Sequence, residues 1–195
     1  MRGQPRGGPQ PAKSLCLDSL EGERGAQPWA LTPEAYGKFL CGLFDVYYRD
    51  WVNGDYTSVR LFDDYIHMAM GMPAGTCATS GSCGAYFVVE GDGTVYPCDF
   101  YCLDEWKMGR IGEQSIPELA NSEKARLFLQ QGERKPDACA DCRWYSLCHG
   151  GCKRDWVEND GKLENYSCLA FKEFFAYAES RILEIARAEA EYYRR

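Results

Sequence analysis

The feature that most constrains this 195-residue chain is a run of four cysteines in the segment CADCRWYSLCHGGC. The run extends from Cys139 to Cys152 with the spacing C-x2-C-x5-C-x3-C. Two thiolates separated by two residues can bind one metal ion or cluster, and further cysteines close by complete a four-sulfur coordination sphere. The run therefore predicts a metal centre around which the surrounding chain folds.

Four more cysteines lie outside the run, and with it they suffice for two four-cysteine sites. In two-cluster ferredoxins the last cysteine of such a run ligates the other cluster. The same crossing divides the eight thiols into two sets. The first set is Cys139, Cys142, Cys148 and Cys168. The second set is Cys77, Cys83, Cys98 and Cys152.

Disulfides, zinc ions and iron–sulfur clusters all use cysteine in this way. Disulfides are disfavoured because the chain has 11 cysteines, an odd number, and begins with charged residues and prolines where a signal peptide needs an apolar region. A reducing, cytoplasmic location is therefore expected. Iron–sulfur clusters are favoured, with two structural zinc ions as the alternative. Cys16, Cys41 and Cys102 are expected to bind no metal.

The composition limits the partners of the chain. A net charge of -7 at pH 7 argues against binding to nucleic acid, which depends on clustered Lys and Arg. No segment approaches the roughly 20 apolar residues of a membrane-spanning helix, so no membrane partner is expected. Residues 1–28 are rich in Gly and Pro, which predicts a disordered or unrelated segment before a single globular core.

Apolar periodicity in the first half of the chain predicts helices. Thr32 is a suitable N-cap for a helix that runs to the Asn53-Gly54 turn. A short extended piece over residues 58–62 and a helix over residues 63–70 are expected to follow.

The second half mixes strand and helix signals, which predicts an α+β fold. Two apolar segments flank Glu90–Gly93 and indicate a β-hairpin. A capping box at Ser115 opens a helix, and another is expected over residues 125–129 with Gly132 as its stop. A long C-terminal helix is expected from Leu169 onward.

The full cysteine pattern resembles the seven-cysteine motif of the SPASM domain. Its elements are C-x9-G-x4-C at Cys83, Gly93 and Cys98, then the four-cysteine run, then Cys168 alone. SPASM domains are auxiliary iron–sulfur modules at the C-terminus of peptide-modifying radical S-adenosylmethionine (SAM) enzymes. With Cys77 and the segments LTPEAYGKFL, VRLFDDYIHM and CDFYC, the chain is most similar to anaerobic sulfatase-maturating enzymes.

This resemblance implies two [4Fe-4S] clusters bound by the two cysteine sets and, in the intact enzyme, SAM. It implies oxidation of a Cys or Ser in a sulfatase precursor peptide to Cα-formylglycine. Asp99 matches the acidic residue that the family places as a base near the substrate side chain. The alternative role for Asp99 is to accept hydrogen bonds from backbone N–H groups after the hairpin.

One motif of radical SAM enzymes is missing from these residues. Neither CDFYC nor CHGGC continues into the C-x3-C-x2-C triad that binds the SAM cluster. We therefore expect residues 29–74 to form a helical linker from the end of a radical SAM barrel and residues 75–195 to form the SPASM domain. The barrel itself would belong to a split or truncated gene, or to a separate chain. A free-standing iron–sulfur electron carrier or peptide-binding protein is the alternative.

Overall fold

The computed structural model describes residues 31–55, 57–84 and 86–192, which divide into two compact units. One unit is formed by residues 86–126. The other is formed by residues 31–84 together with 127–192, and we call it the helical unit. The expectations for residues 1–28, Cys16 included, lie outside the described residues.

The helical unit contains most of the regular structure. Its helices before the second unit are α1 (Pro33–Asn53), α2 (Arg60–Ala69) and α3 (Cys77–Ser80). Its elements after the second unit are α6 (Tyr145–Cys148), β4 (Trp156–Asn159), β5 (Lys162–Asn165) and α7 (Cys168–Tyr192). The strands β4 and β5 form an antiparallel hairpin whose turn is Asp160-Gly161. The turn was predicted from the sequence, but the two short strands were not.

Helix α1 begins and ends where the sequence predicts. The Thr32 hydroxyl accepts a 3.2 Å hydrogen bond from the Ala35 N–H, and Pro33 occupies the first turn, where its missing N–H costs nothing. At the other end, Gly54 adopts the left-handed conformation (φ 81°) that terminates a helix. Local capping chemistry thus fixes both ends of α1.

The core of the helical unit is aromatic. Helix α7 packs on α1 and α2 through Phe44, Phe62 and Phe174, all 0% exposed. Their ring centroids are 5.1 to 5.5 Å apart in edge-to-face and stacked arrangements. Such pairs add about 0.5–1.5 kcal/mol beyond the burial of their area. This core places the first turn of α7, with Cys168, beside the four-cysteine run.

The prediction for residues 58–62 was partly wrong. Helix α2 begins at Arg60, three residues earlier than expected, after Val59 in extended conformation. Phe62 is buried against Phe44, and a helical backbone presents it to that partner. Tertiary packing therefore overrides the local preference of these residues.

The second unit contains the predicted hairpin and a strand that was not predicted. Strands β1 (Val88–Val89), β2 (Thr94–Tyr96) and β3 (Gly109–Arg110) form an antiparallel sheet in the order β1-β2-β3. Helix α4 (Ile116–Ala120) follows, and Ser115 and Glu118 form the predicted capping box. The mixture of helices with two small sheets confirms the α+β class.

Helix α5 (Glu123–Glu133) runs past its predicted stop. Gly132 lies inside the helix, and a Cβ there would be 2.7 Å from Cys83 Sγ. The glycine is therefore required by the close approach of the sulfur rather than by a helix end. Among the helices of the described residues, none combines the length and apolar character needed to cross a membrane.

Candidate metal centres

The first predicted ligand set lies in one pocket of the helical unit. Cys139 ends a short 3-10 turn, Cys148 ends α6, and Cys168 begins α7. Together with Cys142 they line a single pocket, and among the described residues around it there is no His, Asp or Glu. We call these four cysteines the carboxy-terminal site. A donor set made only of thiols suits zinc or an iron–sulfur cluster.

The backbone after Cys148 passes close to this site. His149, Gly150 and Gly151 all have positive φ values, of 50°, 87° and 69°. A Cβ on Gly150 would lie 3.3 Å from Cys139 Sγ, which is a crowded contact for a larger residue. Asn165 Nδ2 donates a 2.8 Å hydrogen bond to the Gly150 carbonyl and fixes the loop. The tight turn therefore lets the main chain wrap around the sulfurs.

Burial disfavours the thiolate form of three cysteines of this site, Cys139, Cys148 and Cys168. Burial raises the pKa of Cys148 to about 12. Burial is also the main cause of the raised pKa values of Cys139 and Cys168, which Lys172 partly opposes. Because metals bind thiolates, binding here must release protons and should weaken as the pH falls.

Three of the four cysteines of the second set share another pocket of the helical unit. Cys77 begins α3, Cys83 follows it, and Cys152 ends the four-cysteine run. We call these three the amino-terminal site. Cys148 and Cys152 line different pockets although only three residues separate them, and their assignment to different clusters stays a prediction. Lys153 also lines the amino-terminal site.

Cys77 is positioned by a buried carboxylate on α2. Asp64, 3% exposed, accepts hydrogen bonds from the Gly75 N–H (2.8 Å) and from the hydroxyls of Thr76 (2.7 Å) and Thr79 (2.5 Å). Burial raises the pKa of Asp64, but these hydrogen bonds outweigh burial and lower it below the usual value. The carboxylate therefore ties the turn before Cys77 and the helix after it to α2.

Cys98 and Asp99 lie in the unit of residues 86–126, just after β2. Cys98 is 6% exposed, whereas the Asp99 side chain is exposed. The Tyr86 hydroxyl donates a 2.5 Å hydrogen bond to Asp99 Oδ1 and lies 3.4 Å from Cys98 Sγ. This bond is the main cause of the lowered pKa of Asp99, and the N–H groups of Asp99 and Phe100 lower it further. Asp99 is thus ionised and reachable, and it also has the backbone contacts of its alternative role.

Within the described parts of residues 31–192, no three His, Cys, Asp or Glu side chains meet the geometry expected for binding one ion. Membership of Cys98 in the second set stays a prediction, and so does the expectation that Cys102 is spare. The Cys102 thiol lies 3.6 Å from the carbonyl oxygen of Cys98.

Three residues around these sites were not predicted from the sequence. Lys153 directly follows Cys152, and Asp64 and Tyr86 are distant from their partners along the chain. Their positions depend on tertiary contacts, so composition and spacing carry no signal for Asp64 or Tyr86. For Lys153, the one signal in the sequence is that it directly follows the predicted ligand Cys152.

Comparison with known proteins agrees with the cysteine pattern. A family profile described as SPASM, an iron–sulfur cluster-binding domain, matches residues 81–143. A cysteine-type anaerobic sulfatase-maturating enzyme of Clostridium perfringens is 40% identical over 173 residues, which cover 88% of this chain and 47% of that enzyme. A serine-type enzyme of Bacteroides thetaiotaomicron is 30% identical over 164 residues, covering 80% of this chain and 39% of that enzyme.

The fold is also similar to a solved structure. Native anSMEcpe with bound AdoMet and the peptide Kp18Cys superposes with a TM-score of 0.81 and 41% sequence identity. The match covers 89% of this chain and 48% of the other. The chain therefore spans about half the length of the relatives that it matches.

Proposed function

Because this chain belongs to the SPASM family of iron–sulfur cluster-binding domains, in the form found in anaerobic sulfatase-maturating enzymes, we propose that it holds the two auxiliary [4Fe-4S] clusters of such an enzyme. The carboxy-terminal site holds one cluster. The amino-terminal site, with Cys98 as its fourth ligand, holds the other. The observation that supports this proposal is that seven of the eight thiols line two separate pockets, with Cys148 and Cys152 at the two ends of a short loop.

The proposed reaction of the whole enzyme is oxidation of a Cys or Ser in a sulfatase precursor peptide to Cα-formylglycine. When bound, the clusters supply one-electron acceptors. Asp99 accepts the proton of the substrate thiol or hydroxyl, a role supported by its exposed carboxylate next to Cys98. Tyr86 holds that carboxylate in place through its 2.5 Å hydrogen bond.

The step that cleaves SAM is proposed to belong to a radical SAM barrel outside these residues, in the same polypeptide or in a separate chain.

Iron and acid-labile sulfide per chain, measured after anaerobic reconstitution, test cluster binding. Two four-iron clusters require about eight of each. A colourless protein with two zinc ions would instead support the structural alternative.

A second experiment tests Asp99 in an enzyme that carries the barrel. Asp99→Asn should keep the full iron content and lower turnover, whereas Asp92→Asn, at the hairpin turn of the same unit, should leave both unchanged. Equal turnover of Asp99→Asn and the unaltered enzyme would reject the role as a base.

A further inference from the structure

Lys153 is a buried lysine at the amino-terminal site. The residue is 8% exposed, and its ammonium donates a 2.8 Å hydrogen bond to the Phe128 carbonyl in α5. The same ammonium lies 3.4 Å from the centroid of the Phe128 ring. Lysine is almost never fully buried without compensation, because removing an ammonium from water is costly. The burial of Lys153 beside three cysteines therefore needs a physical explanation.

The positive charge acts on Cys83, one of the three thiols that line the pocket with Lys153. Burial raises the pKa of Cys83, and Lys153 is the largest influence in the opposite direction, followed among the cations by Lys135. Lys135 itself donates hydrogen bonds to the carbonyls of Gly81 and Gly132, close to Cys83. The amino-terminal site thus holds positive charge near Cys83, and the cation with the larger influence, Lys153, is buried.

An iron–sulfur cluster with four thiolate ligands is an anion, and its negative charge grows when it is reduced. A fixed positive charge nearby stabilises the reduced form more than the oxidised form, and low exposure to water strengthens the effect. We propose that Lys153 raises the reduction potential of the cluster held at the amino-terminal site. The inference rests on the proposed function, since it requires a cluster bound by Cys77, Cys83 and Cys152.

The carboxy-terminal site provides a matched control. Lys172 lines that pocket and lowers the pKa values of Cys139 and Cys168. It lies on α7, four residues after Cys168, and is more exposed than Lys153. Removing either lysine takes one positive charge from one site, so the two variants separate a local effect from a change in net charge.

The test is a redox titration of the reconstituted full-length chain, followed by electron paramagnetic resonance. In Lys153→Met, which keeps an apolar side chain over Phe128, one of the two reduction waves should move to lower potential. The expected change is about a tenfold lower equilibrium constant for reduction, or about 59 mV for a one-electron couple. Lys153→Arg keeps the charge and should leave that wave near its original position. Lys172→Met should move the other wave, and by less.

Three results would overturn the inference. Lys153→Met with full iron and both waves unmoved would show that the charge does not act on a cluster. Movement of the same wave by Lys153→Met and Lys172→Met would show an effect of net charge alone. Complete loss of one cluster from Lys153→Met would show that the lysine is needed to hold the cluster rather than to tune it. Absence of iron from the unaltered chain would instead contradict the proposed function.

Discussion

The two cysteine sites are built in opposite ways. The carboxy-terminal site draws all four thiols from a 30-residue stretch that begins at Cys139 and ends at Cys168, and it rests on the aromatic core through Trp144, Phe171 and Phe175. The amino-terminal site draws its thiols from segments about 70 residues apart, between Cys77 and Cys152, and has three glycines and a buried lysine in its wall. One site is local and has a mainly apolar wall with one partly exposed lysine, Lys172, whereas the other is assembled from distant segments and has the buried Lys153 in its wall.

The comparison shows that cysteine side chains can be positioned by apolar packing at one site and by individual polar contacts at another. An apolar wall fixes the carboxy-terminal thiols by packing, and burial also raises the pKa values of Cys139, Cys148 and Cys168. The amino-terminal thiols depend instead on individual polar contacts, such as those of Asp64 with the turn before Cys77. Variants at the two sites should therefore fail in different ways.

The largest expected effect is the loss of a whole cluster. Cys148→Ala should remove the carboxy-terminal cluster and Cys83→Ala the amino-terminal one, so each variant should fall from about eight to about four iron atoms per chain. Iron and sulfide analysis after anaerobic reconstitution measures this, with Cys41→Ala as a control that keeps all its iron. If either single variant lost both clusters, the two sites could not be independent.

The next effect concerns the packing beneath the carboxy-terminal site. Phe175 is 1% exposed, and its ring lies 4.8 Å from Tyr65 and 6.4 Å from Trp144. Phe175→Ala should lower the free energy of unfolding by about 3–5 kcal/mol because it leaves a cavity. Denaturant unfolding of the metal-free chain checks the value.

Leu119→Ala is the matched variant for Phe175→Ala. Leu119 is equally buried but belongs to the unit of residues 86–126. Leu119→Ala should lower the free energy of unfolding by about 2–5 kcal/mol. After reconstitution, only Phe175→Ala should show preferential loss of the carboxy-terminal cluster, and equal loss in both variants would argue against support by local packing.

A smaller effect is expected from the polar support of the amino-terminal site. Asp64→Asn removes an acceptor from the group that binds Gly75, Thr76 and Thr79, and it should cost about 1–3 kcal/mol of unfolding free energy. Asp63→Asn changes the adjacent residue, whose partners are the Tyr47 and Ser58 hydroxyls, and serves as the control. Hydrogen exchange across α3 should accelerate in Asp64→Asn and not in Asp63→Asn.

The smallest effect is a dependence on pH of the local stability around α3 in the metal-free chain, which Asp64 should cause. The folded-state pKa of Asp64 is lower than that of an unfolded aspartate, about 3.9. Its stabilising contribution is therefore complete above that value and is lost as the pH falls through the folded-state pKa. As the pH is lowered, amide hydrogen exchange in α3 should increase at a higher pH than amide hydrogen exchange in α6. In Asp64→Asn this difference between the two helices should disappear. An identical response of α3 and α6 in the unaltered chain would count against this role.

The sequence was most informative where structure is local. Thr32, Pro33 and Gly54 delimit α1 through capping chemistry that acts within a few residues. The same holds for the capping box at Ser115. For the cysteines, the short spacing from Cys139 to Cys148 predicts neighbouring side chains, and the structure places them with Cys168 around one pocket, while their role as ligands stays a prediction.

The sequence was least informative where a residue acts through a distant partner. Gly132 was predicted to stop α5, but its role is to leave room for Cys83. Burial of Lys153 depends on Phe128, and the support of Cys77 depends on Asp64, neither of which is near its partner in sequence. The early start of α2 has the same origin, since Phe62 is placed by its contact with Phe44.

The three residues between Cys148 and Cys152 also set an upper limit on the distance between the two sites. A chain of four peptide steps spans at most about 14 Å between its terminal Cα atoms, and the positive φ values of this loop make the actual path shorter. The distance between the two sites is therefore limited by covalent geometry, whatever the rest of the protein does. Electron exchange slows steeply with distance, so lengthening this loop by a few residues should slow exchange between the sites without altering any ligand.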